Sequence, residues 1–333
     1  MATGNEIYDI AIIGAGPTGM FGTFYAGLRE MKTLLIEALP QPGGQLAVLY
    51  PEKFIYDVAG YPRILAKDLV EQLWQQAIKF NPDTRFDERV VHVSRNQDGL
   101  ITLSTDKAAY QSRTVLIAAG IGAFAPNKLD RPGIARFEGR GVYYFVQDKN
   151  LFRGKRLLIV GGGDSAVDWA LTMQHWAKKV TLIHRRAEFR AHESSVAELM
   201  ATEEIEKRFW WELKEVQGND HAQAAIIFNN QTGEEETIQV DAVLLNLGFK
   251  ADAGPIKDWG LELNKRSIVV DGVMATNLPG IYAAGDIADP KTSVQLNLIA
   301  TGFAQAVVAV NCAKNYIDPT SRIFPGHTSE KRL

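Results

Sequence analysis

Short runs of apolar residues recur along the chain, and two of them end on clustered glycines. Ile10 to Ile13 leads into Gly14-Ala15-Gly16-Pro17-Thr18-Gly19, and the next run, Leu34 to Ile36, ends on Glu37. Leu157 to Val160 leads into Gly161-Gly162-Gly163-Asp164-Ser165-Ala166, and the same offset from the first glycine lands on His184, followed by Arg185 and Arg186. Such runs predict buried parallel strands, and the segments after both glycine clusters are compatible with helices. Ile64, Leu65, Leu69, Leu73, Trp74, Ala77 and Ile78 keep helical spacing up to Asn81-Pro82, which predicts a helix stopped there. Val90 to Val93 and Leu100 to Thr105 alternate like hairpin arms, and Thr114 to Ala119 reads as a buried strand ended by Gly120. Pro126 and Pro132-Gly133 punctuate a loop that marks a domain boundary. Val167, Leu171 and Trp176 form the apolar side of the helix after the second glycine cluster. Further strands fit Ala224 to Phe228 and Ala242 to Asn246, closed by Gly248, and a last helix fits Gly302 to Tyr316. The pattern is that of an α/β chain with two copies of one nucleotide-binding unit.

Each glycine has its own physical reason. The first permits a tight strand-to-helix turn, the second lets backbone N–H groups approach a pyrophosphate, and the third position needs a small side chain for close helix–strand packing. Ala166 meets that last need nearly as well as glycine. A pyrophosphate then sits at a helix N-terminus, where unpaired N–H groups favour negative charge. Glu37 can accept hydrogen bonds from both hydroxyls of a ribose and would repel a 2′-phosphate. Arg185 and Arg186 do the reverse. At roughly 1.5–3 kcal/mol per hydrogen bond to a charged group, two arginines favour NADPH over NADH by roughly two to four orders of magnitude before solvent screening.

Composition narrows the class. With 333 residues, 46% hydrophobic and 23% charged, the chain is long enough for two ordinary globular domains. No apolar run reaches the length of a membrane span, and Met1 to Asp9 does not read as a signal peptide, so a cytoplasmic protein is expected. A net charge of −3 gives no support to nucleic-acid binding, and the basic cluster Arg185, Arg186 and Arg190 already has a nucleotide explanation. No metal site is expected. The one cysteine, Cys312, excludes an internal disulfide and any CxxC redox pair.

A third motif, Thr276 to Asp286, closes on Tyr282-Ala283-Ala284-Gly285-Asp286. It resembles the second FAD signature of the two-dinucleotide-binding flavoprotein reductases, in which the aspartate holds the ribityl chain. That resemblance implies three-layer ββα Rossmann-like domains of the thioredoxin-reductase type. An FAD-binding domain, 1–122 with 251–333, would then be interrupted by an NADPH-binding domain, 123–250. His184 to Ala191 is similar to the stretch with which thioredoxin reductases grip the 2′-phosphate. Where those enzymes carry their CxxC, however, this chain has Phe145-Val146-Gln147-Asp148, so dithiol chemistry is excluded by residue type.

The closer resemblance, over nearly the whole chain, is to the thioredoxin-reductase-like ferredoxin–NADP⁺ reductases. It is carried by Gly43-Gly44-Gln45-Leu46, Leu49 to Lys53 and Ile55 to Gly60, and by a tail, 316–333, that continues past the last helix through Pro325-Gly326-His327-Thr328. The resemblance implies FAD contacts at Gly14, Gly16, Pro17, Thr18, Gly19, Glu37, Gly44, Gln45, Leu46, Tyr50, Val90, Phe124, Gly285, Asp286 and Thr328. It places NADPH at Gly161, Gly163, Asp164, Ser165, His184, Arg185, Arg186 and Arg190. Tyr50 would stack on one face of the isoalloxazine ring. The tail of a homodimer partner would bring His327 over the other. Hydride would pass from NADPH to the flavin and electrons singly to ferredoxin, an acidic iron–sulfur protein, with no side chain acting as nucleophile or general base. Domain rotation is implied too, with hinges near Gly120 to Ala123 and Gly248 to Asp252. Reduction of a flavodoxin, a quinone or free flavin stays open on the residues alone. So do a disulfide reductase relative using a separate partner and a redox sensor that binds both nucleotides without turnover.

Overall fold

The computed structural model describes residues 6–120, 122–252, 254–291 and 294–328, without the side chains of 123–125 and 249–252. The chain divides into two compact units, Met1–Ala123 with Ala251–Leu333, and Phe124–Lys250. Each is described by itself.

The first unit is built on the strand Ile7–Ile13. It runs parallel to Thr33–Ile36 on one side, with Ile13 opposite Ile36, and to Ala109–Ile117 on the other, with Ile13 opposite Ile117. Asp83–Arg85 extends the sheet beyond Thr33–Ile36, and Ile281–Ala283 pairs in parallel with the C-terminal half of Ala109–Ile117. The N-terminal half of Ala109–Ile117 carries an antiparallel meander, Val90–Arg95 and Ile101–Thr105. Ile10, Ala11, Ile12, Leu34, Leu35, Val115, Leu116 and Ile117 are fully buried, because a parallel strand covered on both faces has no solvent side on which to alternate. Helices Pro17–Leu28 and Ile299–Ile317 lie together on the sheet; an added Cβ at Gly22 would meet Leu116, Ala306 and Ile12 within 3.8 Å.

One expected helix is shorter than its periodicity implies. Ile64 and Leu65 leave it and pair antiparallel with Phe54–Ile55, and the helix runs Ala66–Ala77. Pro62 fixes an extended entry two residues earlier, and Ile64 is buried beside Val58, Leu69 and Leu73 whichever backbone it adopts. Burial alone set that periodicity.

The second unit repeats the plan. A parallel sheet runs in the order Val142–Tyr143, Ala242–Asn246, Arg156–Gly161, Lys179–His184, Ile205–Phe209. An antiparallel layer of Trp211–Gly218, Ala222–Asn229 and Glu235–Gln239 covers it, with Leu213, Val216, Ala225 and Ile227 buried against Leu158, Val160 and Val243. Helix Asp164–Met173 packs on the opposite side through Ala166, Val167, Trp169, Ala170 and Met173. Trp176, expected on that helix, falls beyond its end and stacks with Arg153, 4.5 Å from the ring centroid.

Asp241 fastens two strand starts of this sheet. Its carboxylate accepts from Arg156 N at 2.8 Å, Nε at 3.0 Å and Nη2 at 2.7 Å. The Arg156 guanidinium holds its pKa down to about 2 from an ordinary 3.8. Ionisation therefore stabilises the fold above pH 3.8, and that contribution is lost as pH falls toward 2. Both side chains are more than a third exposed, so the pair is worth about 1 kcal/mol or less. Asp241→Asn should lower urea-derived stability by that amount at neutral pH, with the difference from the parent closing between pH 4 and pH 2. A gap of undiminished size at pH 2 would contradict this account.

Candidate functional site

At the first glycine loop, Gly14 takes a left-handed φ of +104°, and a Cβ there would lie 2.5 Å from Ala118 O. A Cβ at Gly19 would lie 1.8 Å from Gly14 O, so helix Pro17–Leu28 approaches the strand end at backbone distance. Gly16 has open space around it. The helix begins with Gly16 at the N-cap and Pro17 at N1, without a side-chain cap or an acidic residue in its first turn, which leaves its N-terminal N–H groups free for an anion. Glu37, 7% exposed, follows the neighbouring strand and accepts Ala15 N–H on Oε2 at 2.6 Å and Leu39 N–H on Oε1 at 2.9 Å. Burial raises its pKa, against the lowering by those two N–H groups. The carboxylate is thus fixed in orientation by donors that use only part of its acceptor capacity.

A second group converges beside this loop. Thr18 Oγ1 fills the space where Gly285 and Gly302 lack side chains; ideal Cβ atoms there would sit 2.8 and 2.2 Å from it. Gly285 N–H donates to Gln305 Oε1 at 2.8 Å. Asp286 lies half-buried, accepts a long contact of 3.4 Å from Gln45 Nε2, and has its pKa raised by burial. Tyr50 packs against the cluster of Met20, Leu46 and Leu69. Burial and then the charges of Asp286 and Asp57 push its phenol up to about 12, so it stays protonated. An uncapped helix terminus, a carboxylate for a diol, and an acid beside an aromatic shelf fit a flavin dinucleotide.

The second loop differs in its charge. Helix Asp164–Met173 again starts after an uncapped glycine, Gly163, but Asp164 Oδ1 is engaged by His192 N–H at 2.8 Å. Arg190 N–H donates to Gly162 O at 2.6 Å, and Asn230 Nδ2 to Arg185 O at 3.0 Å, so the basic segment is stitched beside the glycines. Arg185 and Arg190 are exposed and Arg186 half-buried, none with a carboxylate partner among the described residues. His184 behaves otherwise: it is 8% exposed, stacks on Phe189 at 5.5 Å, and lies so close to Gly162 that a Cβ there would be 2.2 Å from its ring. Burial lowers its pKa, with Arg185 and Arg190 adding to the effect, and Nε2 has no partner. Positive charge beside this loop is left to the arginines, and the buried histidine is neutral. An orphaned ring nitrogen beside open, uncapped glycine N–H groups fits a phosphorylated nicotinamide nucleotide.

Residues 8–313 match the family described as pyridine nucleotide-disulphide oxidoreductase. A ferredoxin–NADP reductase of Sulfurisphaera tokodaii is 52% identical over 97% of each chain, and one of Thermus thermophilus is 49% identical, again over 97% of each. The chain belongs to the ferredoxin–NADP reductase family. A thioredoxin reductase of Lactococcus lactis shares the fold, with a TM-score of 0.77 and 29% identity over 93% of this chain and 99% of that one.

Within this reductase family frame, the stretch Phe145 to Asp148 is structural: Val146 is fully buried and Asp148 caps the turn Lys149–Phe152 through Asn150 N–H at 2.8 Å. Cys312 is half-buried against the first core, and burial raises its pKa. Not every expected contact gathers at the site. Val90 has its side chain in the core, 5% exposed, leaving only its backbone to face a ligand. The side chain of Phe124 lies outside the described residues. His327 and Thr328 are exposed in the tail, with the His327 ring edge-on to Phe324 at 5.3 Å. Gln305, the clasp on Gly285, has no sign in the sequence beyond a glutamine in an apolar helix. No helix of the described residues is long and apolar enough to cross a membrane, and no group of potential metal ligands occurs among them.

The Thr18–Gly302 contact is testable by rescue. Gly302→Ala is expected to cost about 1–3 kcal/mol, since the helix backbone cannot yield by an ångström. Adding Thr18→Ala removes the atom 2.2 Å away and should restore most of the lost stability in thermal melting. A double variant no more stable than Gly302→Ala alone would refute the contact.

Proposed function

We propose that this chain is an FAD-containing ferredoxin–NADP⁺ reductase, passing electrons between NADPH and ferredoxin. The observation that carries the reading is 52% identity to such a reductase across 97% of both chains, combined with two nucleotide loops of opposite charge preference. In the first unit, the open N-terminus after Gly14, Gly16 and Gly19, with Pro17 and Thr18, receives the FAD pyrophosphate. Glu37 binds the adenosine ribose. Gly44, Gln45, Leu46, Gly285 and Asp286 line the ribityl side, Tyr50 offers its ring face, and Val90 contributes backbone. Thr328 completes the set in this unit.

In the second unit Gly161, Gly163, Asp164 and Ser165 seat the NADPH pyrophosphate, while Arg185, Arg186 and Arg190 grip the 2′-phosphate around the neutral ring of His184. FAD, when bound, supplies the interchange between two-electron and one-electron transfer. The residues bind, orient and exclude water; none takes a proton from substrate. Tyr50, held protonated, keeps its place as an uncharged shelf. With one cysteine the chain passes electrons to no disulfide of its own. We also place it in the cytoplasm as a homodimer, its two connections near Gly120 to Ala123 and Gly248 to Asp252 acting as hinges. The exposed His327 would reach the partner's flavin.

NADPH-driven cytochrome c reduction should depend strongly on added ferredoxin and slow as salt rises, since an acidic partner is steered electrostatically. Ferricyanide reduction without any ferredoxin effect would point to another acceptor. In Arg185→Ala/Arg186→Ala, kcat/KM for NADPH should fall by about two orders of magnitude while that for NADH changes by less than about threefold, because only the 2′-phosphate loses partners. Equal losses with both nucleotides would remove the arginines from 2′-phosphate recognition.

A further inference from the structure

The helix Pro17–Leu28 ends on Arg29, a buried residue, 8% exposed, with no carboxylate partner among the described residues. A buried cation needs its donors satisfied, and here every acceptor is neutral. Nη1 donates to Asn311 Oδ1 and to Ile323 O at 3.1 Å, and Nη2 donates to Arg322 O at 2.8 Å. Asn311, 6% exposed on the last helix, has its amide nitrogen committed to Val307 O at 2.8 Å, which fixes its oxygen toward Arg29. Two of the three acceptors therefore belong to the C-terminal tail.

Among the described residues, hydrogen bonds of the preceding turn run to the end of the last helix: Asn315 Nδ2 donates to Ser321 O at 2.9 Å and Asp318 Oδ1 accepts Thr320 N–H at 3.0 Å. Ser321 Oγ is buried without a partner. Beyond the Arg29 contacts, Ile323 and Phe324 are 56% and 64% exposed, and Phe324 meets His327 edge-on. Such large apolar side chains on a tail whose backbone is pinned are presented, not merely loose.

We propose that Arg29, seated by Asn311, is a positioning latch that sets where the tail leaves the fold, so that Phe324 and His327 are offered in fixed register to a second copy of this chain. The proposal rests on the tail role given above, and Arg29 itself touches no reacting group. It assigns a task to a buried arginine at the helix end remote from the glycine loop.

The latch makes its own assay, because the bond trypsin would cut, Arg322–Ile323, carries a carbonyl that Arg29 holds and that a protease must instead seat in its oxyanion hole. In FAD-loaded full-length protein, Arg29→Met should be cut after Arg322 at least about tenfold faster than the parent, as local opening no longer has to break the latch. Arg29→Lys, able to reach fewer acceptors, should lie between. Should Arg29→Met melt far below the parent, Asn311→Leu carries the same test. Unchanged cleavage in these variants overturns the latch. His327→Ala, which leaves Arg29 intact, reads the tail role separately through the flavin absorbance band and NADPH turnover. If His327→Ala shifts the flavin band and Arg29→Met does not, Arg29 does not position the tail. Faster cleavage in Arg29→Met, with flavin and turnover unmoved in both variants, supports the latch and removes the tail from flavin chemistry.

Discussion

The first turn of helix Pro17–Leu28 meets the end of strand Ile7–Ile13 backbone to backbone at Gly19 and Gly14, and the first unit is organised around that approach. Gly14 O stands where a Cβ of Gly19 would begin. Closeness at that point brings the helix N-terminus level with the ends of Ile7–Ile13 and Thr33–Ile36, so that Glu37 reaches Ala15 N–H across the loop. It also carries Thr18 far enough to occupy the empty positions of Gly285 and Gly302, which aligns the strand end at Asp286 and the last helix with the loop. A methyl group at any of these glycines would separate parts that act only together.

The second unit uses the same backbone device with the opposite electrostatics. In the first unit an acid is buried and its pKa raised, a cost offset by backbone N–H donors and by whatever hydroxyls it binds. In the second the charges stay outside. Arg185 and Arg190 remain exposed, where they keep their hydration, while the residue in the register of the acid, His184, is buried and neutral. Burying an imidazole beneath Gly162 is possible because its pKa lies near neutrality and falls easily; a guanidinium in that place would remain charged at great expense.

The helix from Pro17 has work at both ends. At 12 residues it spans about 18 Å. Its first turn faces the glycine loop, and Arg29 at its far end holds the tail. The rigidity that seats the loop thus reaches the C-terminal segment.

Much of this was legible from the chain itself. Both loops, the acid Glu37, the basic run after His184 and the strand pairs around them follow from local rules, because a pyrophosphate site needs its strand, turn and helix in immediate succession. The hairpin Val90–Arg95 with Ile101–Thr105 was likewise marked by alternation. The antiparallel strand Trp211–Gly218 was not, because a register shift between Leu213 and Glu215 leaves its buried residues, Leu213 and Val216, three positions apart and breaks the period of two. The sequence could not place Ile64 in a strand, bury His184, clasp Gly285 with Gln305 or close Arg29 on Arg322 and Ile323. Those contacts join residues from nine to 294 positions apart, and only the packed fold decides which partner a side chain meets. Residue type determined what chemistry the chain can do, and tertiary structure decided which of its charged groups are left free to do it.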